Sequence, residues 1–285
     1  MFTLNCRGKL LSADRPLVMG IINTTPDSFY PGSRVMDEES IMETAEKMIA
    51  GGADILDLGG QSTRPGAAEL GPEEELQRLI PAVTHLHSRF PAVVISADTW
   101  YSRVAREAVA AGASMVNDIS GGLLDGAMLD TVGRLGVPYV CMHMKGRPAT
   151  MNQEAVYDDT TREVLDFFIT RLAACRAAGI HDVILDPGLG FAKKARHNFE
   201  LLKHLSLLRM TGCPILIGSS RKSFIYKTLD IGVDEALNGT TVINTLALLN
   251  GADILRVHDP AEARQAILLL ERYKNTGRHR SMGLA

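Results

Sequence analysis

Polar side chains able to bind or transform a small molecule recur at the ends of short apolar runs along this chain. The densest case is Pro214–Phe224. There Ile215, Leu216 and Ile217 are followed by Gly218 and then by Ser219, Ser220, Arg221, Lys222 and Ser223. Three apolar residues without polar alternation fit a strand buried on both faces. Donors crowded onto the end of such a strand need partners, because an unpaired charge beside a core is costly. A helix capped by Ser219 or Ser220 accounts for the serines. It accounts poorly for Arg221 and Lys222, since cations are disfavoured at a helix N-terminus. A site that grips something anionic or carbonyl-rich accounts for all of them.

Seven other runs end in a similar way. Asn23 closes the first, and Asp57 lies in the second, ahead of Gln61, Ser62, Thr63 and Arg64. Asp98 and Thr99 close the third, Asn117 and Asp118 the fourth, His143 the fifth and Asp186 the sixth. The last carries Arg256 and His258, with Asp259 after. Each has a plain structural explanation. Asp57 and Asp118 can satisfy neighbouring backbone, and His143 can be a hydrogen-bonded core histidine. Asp186 can form a turn before Pro187-Gly188, and Asp259 can cap a helix. A polar group at nearly every run end weakens those explanations taken together. Asp98, Asn117 and Asp186 suit a ring rich in N–H donors and carbonyls, since a carboxylate can take an amidine-like edge through two parallel hydrogen bonds. Lys222 suits a ring carbonyl or nitrogen. Asn23, Arg256 and His258 suit an anion, with Arg256 and His258 on one side of a strand. No dinucleotide fingerprint, phosphate-cradling Walker loop, Ser-His-Asp order or zinc spacing is present.

The elements that must position these groups are legible from periodicity. The runs are Val18–Asn23, Ile55–Leu58, Val93–Asp98, Met115–Asp118, Tyr139–His143, Val183–Asp186, Ile215–Gly218 and Ile254–His258. Helical patterns cover Ser40–Ala50, Glu73–Ser88, Ser102–Ala111, Thr160–Ala178, Glu235–Leu249 and Ala261–Tyr273. Glycine turns such as Gly51-Gly52 and Gly251 separate several helices from the next strand, as a left-handed helix stop requires. Eight strand–loop–helix units predict an α/β fold, a (β/α)8 TIM barrel, with its site at the C-terminal strand ends. An open doubly wound sheet is the second choice. Residues 1–16 predict a short N-terminal hairpin. One domain spans 1–285, with 274–285 a flexible tail. The loops Thr24–Glu39 and Gly59–Gly71 are long enough to act as lids.

Composition narrows the function classes. The chain has 285 residues, 46% hydrophobic and 22% charged, with net charge −3. That balance argues against nucleic-acid binding driven by phosphate contacts. No apolar run is long enough to span a membrane. Four scattered cysteines read as free thiols in a reducing compartment, which makes the cytoplasm the expected location.

In order along the chain stand Asn23-Thr24-Thr25-Pro26-Asp27-Ser28-Phe29, Gly59-Gly60-Gln61-Ser62-Thr63-Arg64-Pro65-Gly66, Asp98-Thr99, Asn117-Asp118-Ile119, Met142-His143-Met144, Asp186-Pro187-Gly188-Leu189-Gly190-Phe191, Ser220-Arg221-Lys222-Ser223 and Arg256-Val257-His258. With these motifs the chain resembles the dihydropteroate synthase family of folate biosynthesis, from about Val18 to Tyr273. The resemblance implies a (β/α)8 barrel, a homodimer and the joining of p-aminobenzoate to 6-hydroxymethyl-7,8-dihydropterin diphosphate, with Mg²⁺ and loss of diphosphate. It implies that Asp98, Asn117, Asp186 and Lys222 hold the pterin. It implies that Asn23, Arg256 and His258 hold the diphosphate, with Asn23 near Mg²⁺. Thr63, Arg64, Pro65, Phe191, Lys222 and Ser223 would frame p-aminobenzoate, with Phe29 on the first loop. Asn23, Arg256, His258, Lys222 and Asp186 would carry the chemistry. The family is also a sulfonamide target. Three departures stand out: Tyr30-Pro31-Gly32-Ser33 replaces a frequent Ser-Asp-Gly-Gly, Gln61 a frequent glutamate and Ala192 a common glycine. The alternatives are a pterin-binding methyltransferase domain and a pterin-binding module without catalysis.

Overall fold

The computed structural model describes residues 2–24, 37–61 and 69–276. Strands β1 (Phe2–Cys6) and β2 (Lys9–Ala13) form the expected hairpin, in register from Phe2–Ala13 to Cys6–Lys9. Its two linking residues, Arg7 and Gly8, both have positive φ. That conformation matches a two-residue turn to the strand twist.

Eight parallel strands follow: β3 (Leu17–Asn23), β4 (Ile55–Gly59), β5 (Val94–Asp98), β6 (Met115–Asp118), β7 (Tyr139–Met142), β8 (Val183–Asp186), β9 (Leu216–Ile217) and β10 (Ile254–Val257). They run in the order β8-β7-β6-β5-β4-β3-β10-β9. A bridge between Leu185 and Ile215 brings β9 back to β8 and closes the (β/α)8 barrel. Strand β9 is shorter than its sequence suggests. Pro214 has no N–H to give to a ladder, and pairing of the named strand stops at Ile217.

Helices α1 (Asp37–Ala50), α2 (Pro72–Arg89), α3 (Ser102–Ala111), α4 (Met128–Leu135), α5 (Thr160–Ala177), α6 (Ala195–Lys203), α7 (Ser223–Leu229), α8 (Leu237–Leu249) and α9 (Pro260–Asn275) surround the sheet. Six of these match the periodic segments within a few residues. Helices α4, α6 and α7 were not legible, because 8, 9 and 7 residues give too few turns for a pattern to register. Helix α9 also takes in Lys274 and Asn275, where the sequence suggested the tail to begin.

Alternation along the strands builds the core in two layers. Outward-facing residues, among them Val18, Leu56, Ile95, Val116, Cys141, Leu185, Ile217 and Leu255, pack under the helices. Inward-facing Met19, Ile55, Val94, Met115, Val140, Ile184, Leu216 and Ile254 fill the N-terminal half of the barrel. Leu4, Cys6 and Ala13 of the hairpin join this inner cluster and plug that mouth. Leu4→Ala is therefore expected to lower stability by about 2–5 kcal/mol, the usual range for emptying a buried leucine site. Urea unfolding would measure it. A loss below about 0.5 kcal/mol would show that the hairpin is not part of the core.

Candidate functional site

The site follows from continuing the same alternation two residues further along each strand. Above the inner apolar layer, the inward positions become Ile21, Asp57, Ser96, Asn117, Met142, Asp186, Gly218 and Arg256. Asn23, Gly59, Asp98 and His258 occupy the next level, at or just past the strand ends. The barrel axis therefore changes from hydrocarbon to charge within one layer. Burial there makes each carboxylate expensive to ionise without a partner.

Arg256 supplies two of those partners. Its Nε donates to Asp57 Oδ2 at 2.6 Å and its Nη2 to Asp98 Oδ2 at 2.6 Å. Asn117 Nδ2 donates to the same Asp57 oxygen at 2.9 Å. Asp57 is fully buried, and its Oδ1 has no hydrogen-bond partner among the described residues. Asp57 thus organises side chains rather than satisfying backbone, and this role was missed in the sequence. The usable signal was its inward parity, shared with Asn117 and Arg256. Asp118, the next residue after Asn117, faces outward. It accepts hydrogen bonds from the Ser120 and Gly122 N–H groups and the Tyr139 hydroxyl, so its backbone role stands.

Asp186 is buried and accepts from the Gly188 N–H at 2.7 Å. Burial raises its pKa, and the Lys222 ammonium opposes that rise. Asp98 is pushed up to about 7 by burial first, against the pull of Arg256, with Asp57, Asp118 and Asp186 adding to the rise. Lys222 sits at the N-cap of α7, half-buried, and its ammonium donates to the Leu189 carbonyl. It also lies 4.5 Å from the centre of the Phe191 ring. Burial brings Lys222 down to about 8, with Asp186 pulling the other way.

The serines do not cap α7, because Lys222 takes that position. Ser219 donates to Asn244 Oδ1 at 2.8 Å, and Ser220 Oγ lies 2.9 Å from His258 Nδ1. Arg221 forms a paired contact with Asp259, at 2.7 and 3.2 Å, so Asp259 is an ion-pair partner and not a side-chain cap. Arg221 adopts φ 54°, a left-handed geometry uncommon outside glycine. These ties fix the segment from which Lys222 and the exposed Ser223 project.

Asn23 ends β3, exposed and in register with Gly59. The structure thus brings Asp98, Asn117, Asp186, Lys222, Phe191, Arg256, His258 and Asn23 to one end of one barrel. Phe29, Thr63, Arg64 and Pro65 lie outside the described residues, as does the Tyr30–Ser33 departure. At the edge of that second loop, Gln61 Nε2 donates to Glu75 Oε2 at 2.7 Å, and the Leu70 N–H donates to Gln61 Oε1 at 3.4 Å. Burial raises Glu75 to about 8. Gln61 gives that carboxyl an N–H donor, which an ionised glutamate at the same position could not supply. Among the described residues no three His, Cys, Asp or Glu side chains form a metal-holding group. No described helix is long and apolar enough to cross a membrane.

The chain is similar to known proteins over most of its length. Residues 19–258 match the family model described as pterin binding enzyme. The chain is 43% identical over 270 residues to dihydropteroate synthase of Escherichia coli, covering 94% of this chain and 95% of that one. Its fold superposes with a TM-score of 0.89 on Xanthomonas albilineans dihydropteroate synthase bound to 4-aminobenzoic acid, at 39% identity over 96% and 98% of the two chains. The same enzyme in complex with 7,8-dihydropteroate gives 0.86 at 36% identity, over 96% and 99%.

Proposed function

Because this chain belongs to the dihydropteroate synthase family of pterin-binding enzymes, we infer that it condenses 6-hydroxymethyl-7,8-dihydropterin diphosphate with p-aminobenzoate, giving 7,8-dihydropteroate and diphosphate. The observation that carries the reading is the polar layer itself. Asp57, Asp98, Asn117, Asp186, Lys222 and Arg256 crown an otherwise apolar barrel, at the depth where a flat heterocycle would lie.

Asp186 takes the amidine edge of the pterin, and Asn117 and Asp98 hold further ring positions. Lys222 meets the ring carbonyl or a ring nitrogen. The carboxyl groups of Asp57, Asp98 and Asp186 at this level favour positive charge building on the pterin methylene as the bond to diphosphate weakens. Arg256 and His258 face the opposite need and stabilise the departing anion. Two of the five Arg256 N–H donors are held by Asp57 and Asp98, which fixes the guanidinium plane before substrate arrives. The arylamine is neutral at pH 7 and attacks without a base. Phe191, Lys222 and Ser223, with Thr63, Arg64, Pro65 and Phe29, frame it.

The donor set suits a substrate-carried Mg²⁺, which characteristically takes one or two protein ligands and completes its shell with phosphate and water. Asn23 would hold that ion through its carboxamide oxygen, and the ion would neutralise charge on the diphosphate. Free thiols at Cys6, Cys141, Cys175 and Cys213 support a reducing cytoplasm. A homodimer is the expected assembly.

A coupled assay tests the reaction. Purified protein, both substrates and Mg²⁺ should yield diphosphate and dihydropteroate in equal amounts by mass, and chelation should abolish both. Pterin binding without product would favour the non-catalytic module, and turnover that survives chelation would remove the metal. A pH profile tests Lys222. As pH rises through about 8 the ammonium loses its charge, so kcat/KM for the pterin substrate should fall about tenfold per pH unit above that point. Lys222→Arg should remove this alkaline limb while lowering activity. A wild-type profile flat to about pH 9.5 would take Lys222 out of the pterin site.

A further inference from the structure

Lys193 is almost fully buried, yet nothing in the reaction uses it directly. Its Nζ lies 2.9 Å from His143 Nδ1, 3.0 Å from the Phe191 carbonyl oxygen and 3.3 Å from the His143 carbonyl oxygen. Burial lowers the Lys193 pKa well below the ordinary lysine value, with Asp186 pulling the other way, and the protonated amine has three N–H donors for the three acceptors it meets. Burial and the nearby lysines hold the His143 ring well below its ordinary pKa, so Nδ1 can accept while Nε2 carries the proton. The histidine at the end of β7 therefore serves as an anchor.

The contact with Phe191 crosses a strained link. Ala192 has φ 49°, and its left-handed turn lets the Lys193 side chain fold back onto the carbonyl two residues earlier. On the other side of the loop, Asn198 accepts from the Gly190 N–H at 2.7 Å, and the Phe191 N–H donates to the Gly188 carbonyl at 3.0 Å. The Phe191 ring is thereby presented to Lys222.

We propose that Lys193 is a positioning residue that ties the β7 rim to the 187–194 loop and so sets the place of Phe191 in the p-aminobenzoate subsite. This rests on the synthase reading for its substrate, but the geometry it claims can be tested without turnover.

Lys193→Met removes all three donors and keeps the apolar stem. The variant should raise KM for p-aminobenzoate about tenfold, the scale of one or two lost hydrogen bonds, with KM for the pterin substrate changed less than about twofold. In a Phe191→Ala background the same substitution should have almost no further effect, because the lysine acts through that ring. Additive effects, an unchanged p-aminobenzoate KM, or an equal rise for both substrates would overturn the proposal. Should the Met variant fail to fold, Lys193→Gln, which keeps two donors on a shorter arm, is put through the same cycle with the same criteria. A crystal structure of the folded variant decides the point independently of activity. Displacement of the Phe191 ring from Lys222 is expected, and a ring left in place refutes the claim. Absence of turnover in the unsubstituted protein would count against the reaction alone.

Discussion

Arg256→Ala is expected to lower turnover by about 10²–10³-fold, the loss typical of removing one preorganised donor from a developing negative charge. The same change should destabilise the fold by about 3–5 kcal/mol, because it breaks a buried ion network from one side. Asp57 is fully buried and shares one oxygen between Arg256 and Asn117. Asp98 loses its guanidinium as well and remains near Asp57 and Asp186. Carboxylates left in that state have folded pKa values raised above the unfolded value of about 3.9. The folded variant then binds more protons than the unfolded chain between that value and the raised one. Its stability must fall as pH rises through the window, so the destabilisation should be smaller near pH 5 than near pH 8. Urea unfolding at the two pH values, beside steady-state rates, tests both halves. Turnover within tenfold of wild type would remove Arg256 from the leaving-group role, and a pH-independent loss would contradict the network.

Asp186→Asn should weaken binding of the pterin substrate by about 100-fold or more, since a buried site loses a charged acceptor and gains a misplaced donor. The orientation of the new amide is constrained. The Gly188 N–H at 2.7 Å needs an oxygen at the Oδ1 position, so the NH₂ group must take the Oδ2 position. That position lies near Gly218, where an added Cβ would come within 3.9 Å of Oδ2. An N–H donor would then face the donor edge of the pterin. The surrounding fold should tolerate the change, because it removes a charge that burial already disfavours. Isothermal titration with the pterin substrate measures the effect. A change below about threefold, under 1 kcal/mol, would mean that the amidine edge lies elsewhere.

The sequence alone determined the barrel and most of the polar crown. Strands buried on both faces read as unbroken apolar runs, and glycine stops mark where helices give way to strands, so both signals are local. Asn23, Asp98, Asn117, Asp186, Lys222 and His258 stood out because each lies at or past the end of such a run, and Arg256 because it interrupts one. Like residues were harder to separate. Asp57 and Asp118 both read as carboxylates that satisfy backbone, and only the side each faces makes one part of the pocket and the other a turn anchor. The tertiary structure alone decided which groups pair. Arg256 meets Asp57 across 199 residues of chain, Arg221 meets Asp259 across 38, and Lys193 meets His143 across 50. No local periodicity encodes such partners. They are set by closure of the sheet, which brings distant strand ends onto one rim and leaves each buried charge to find its counterpart there.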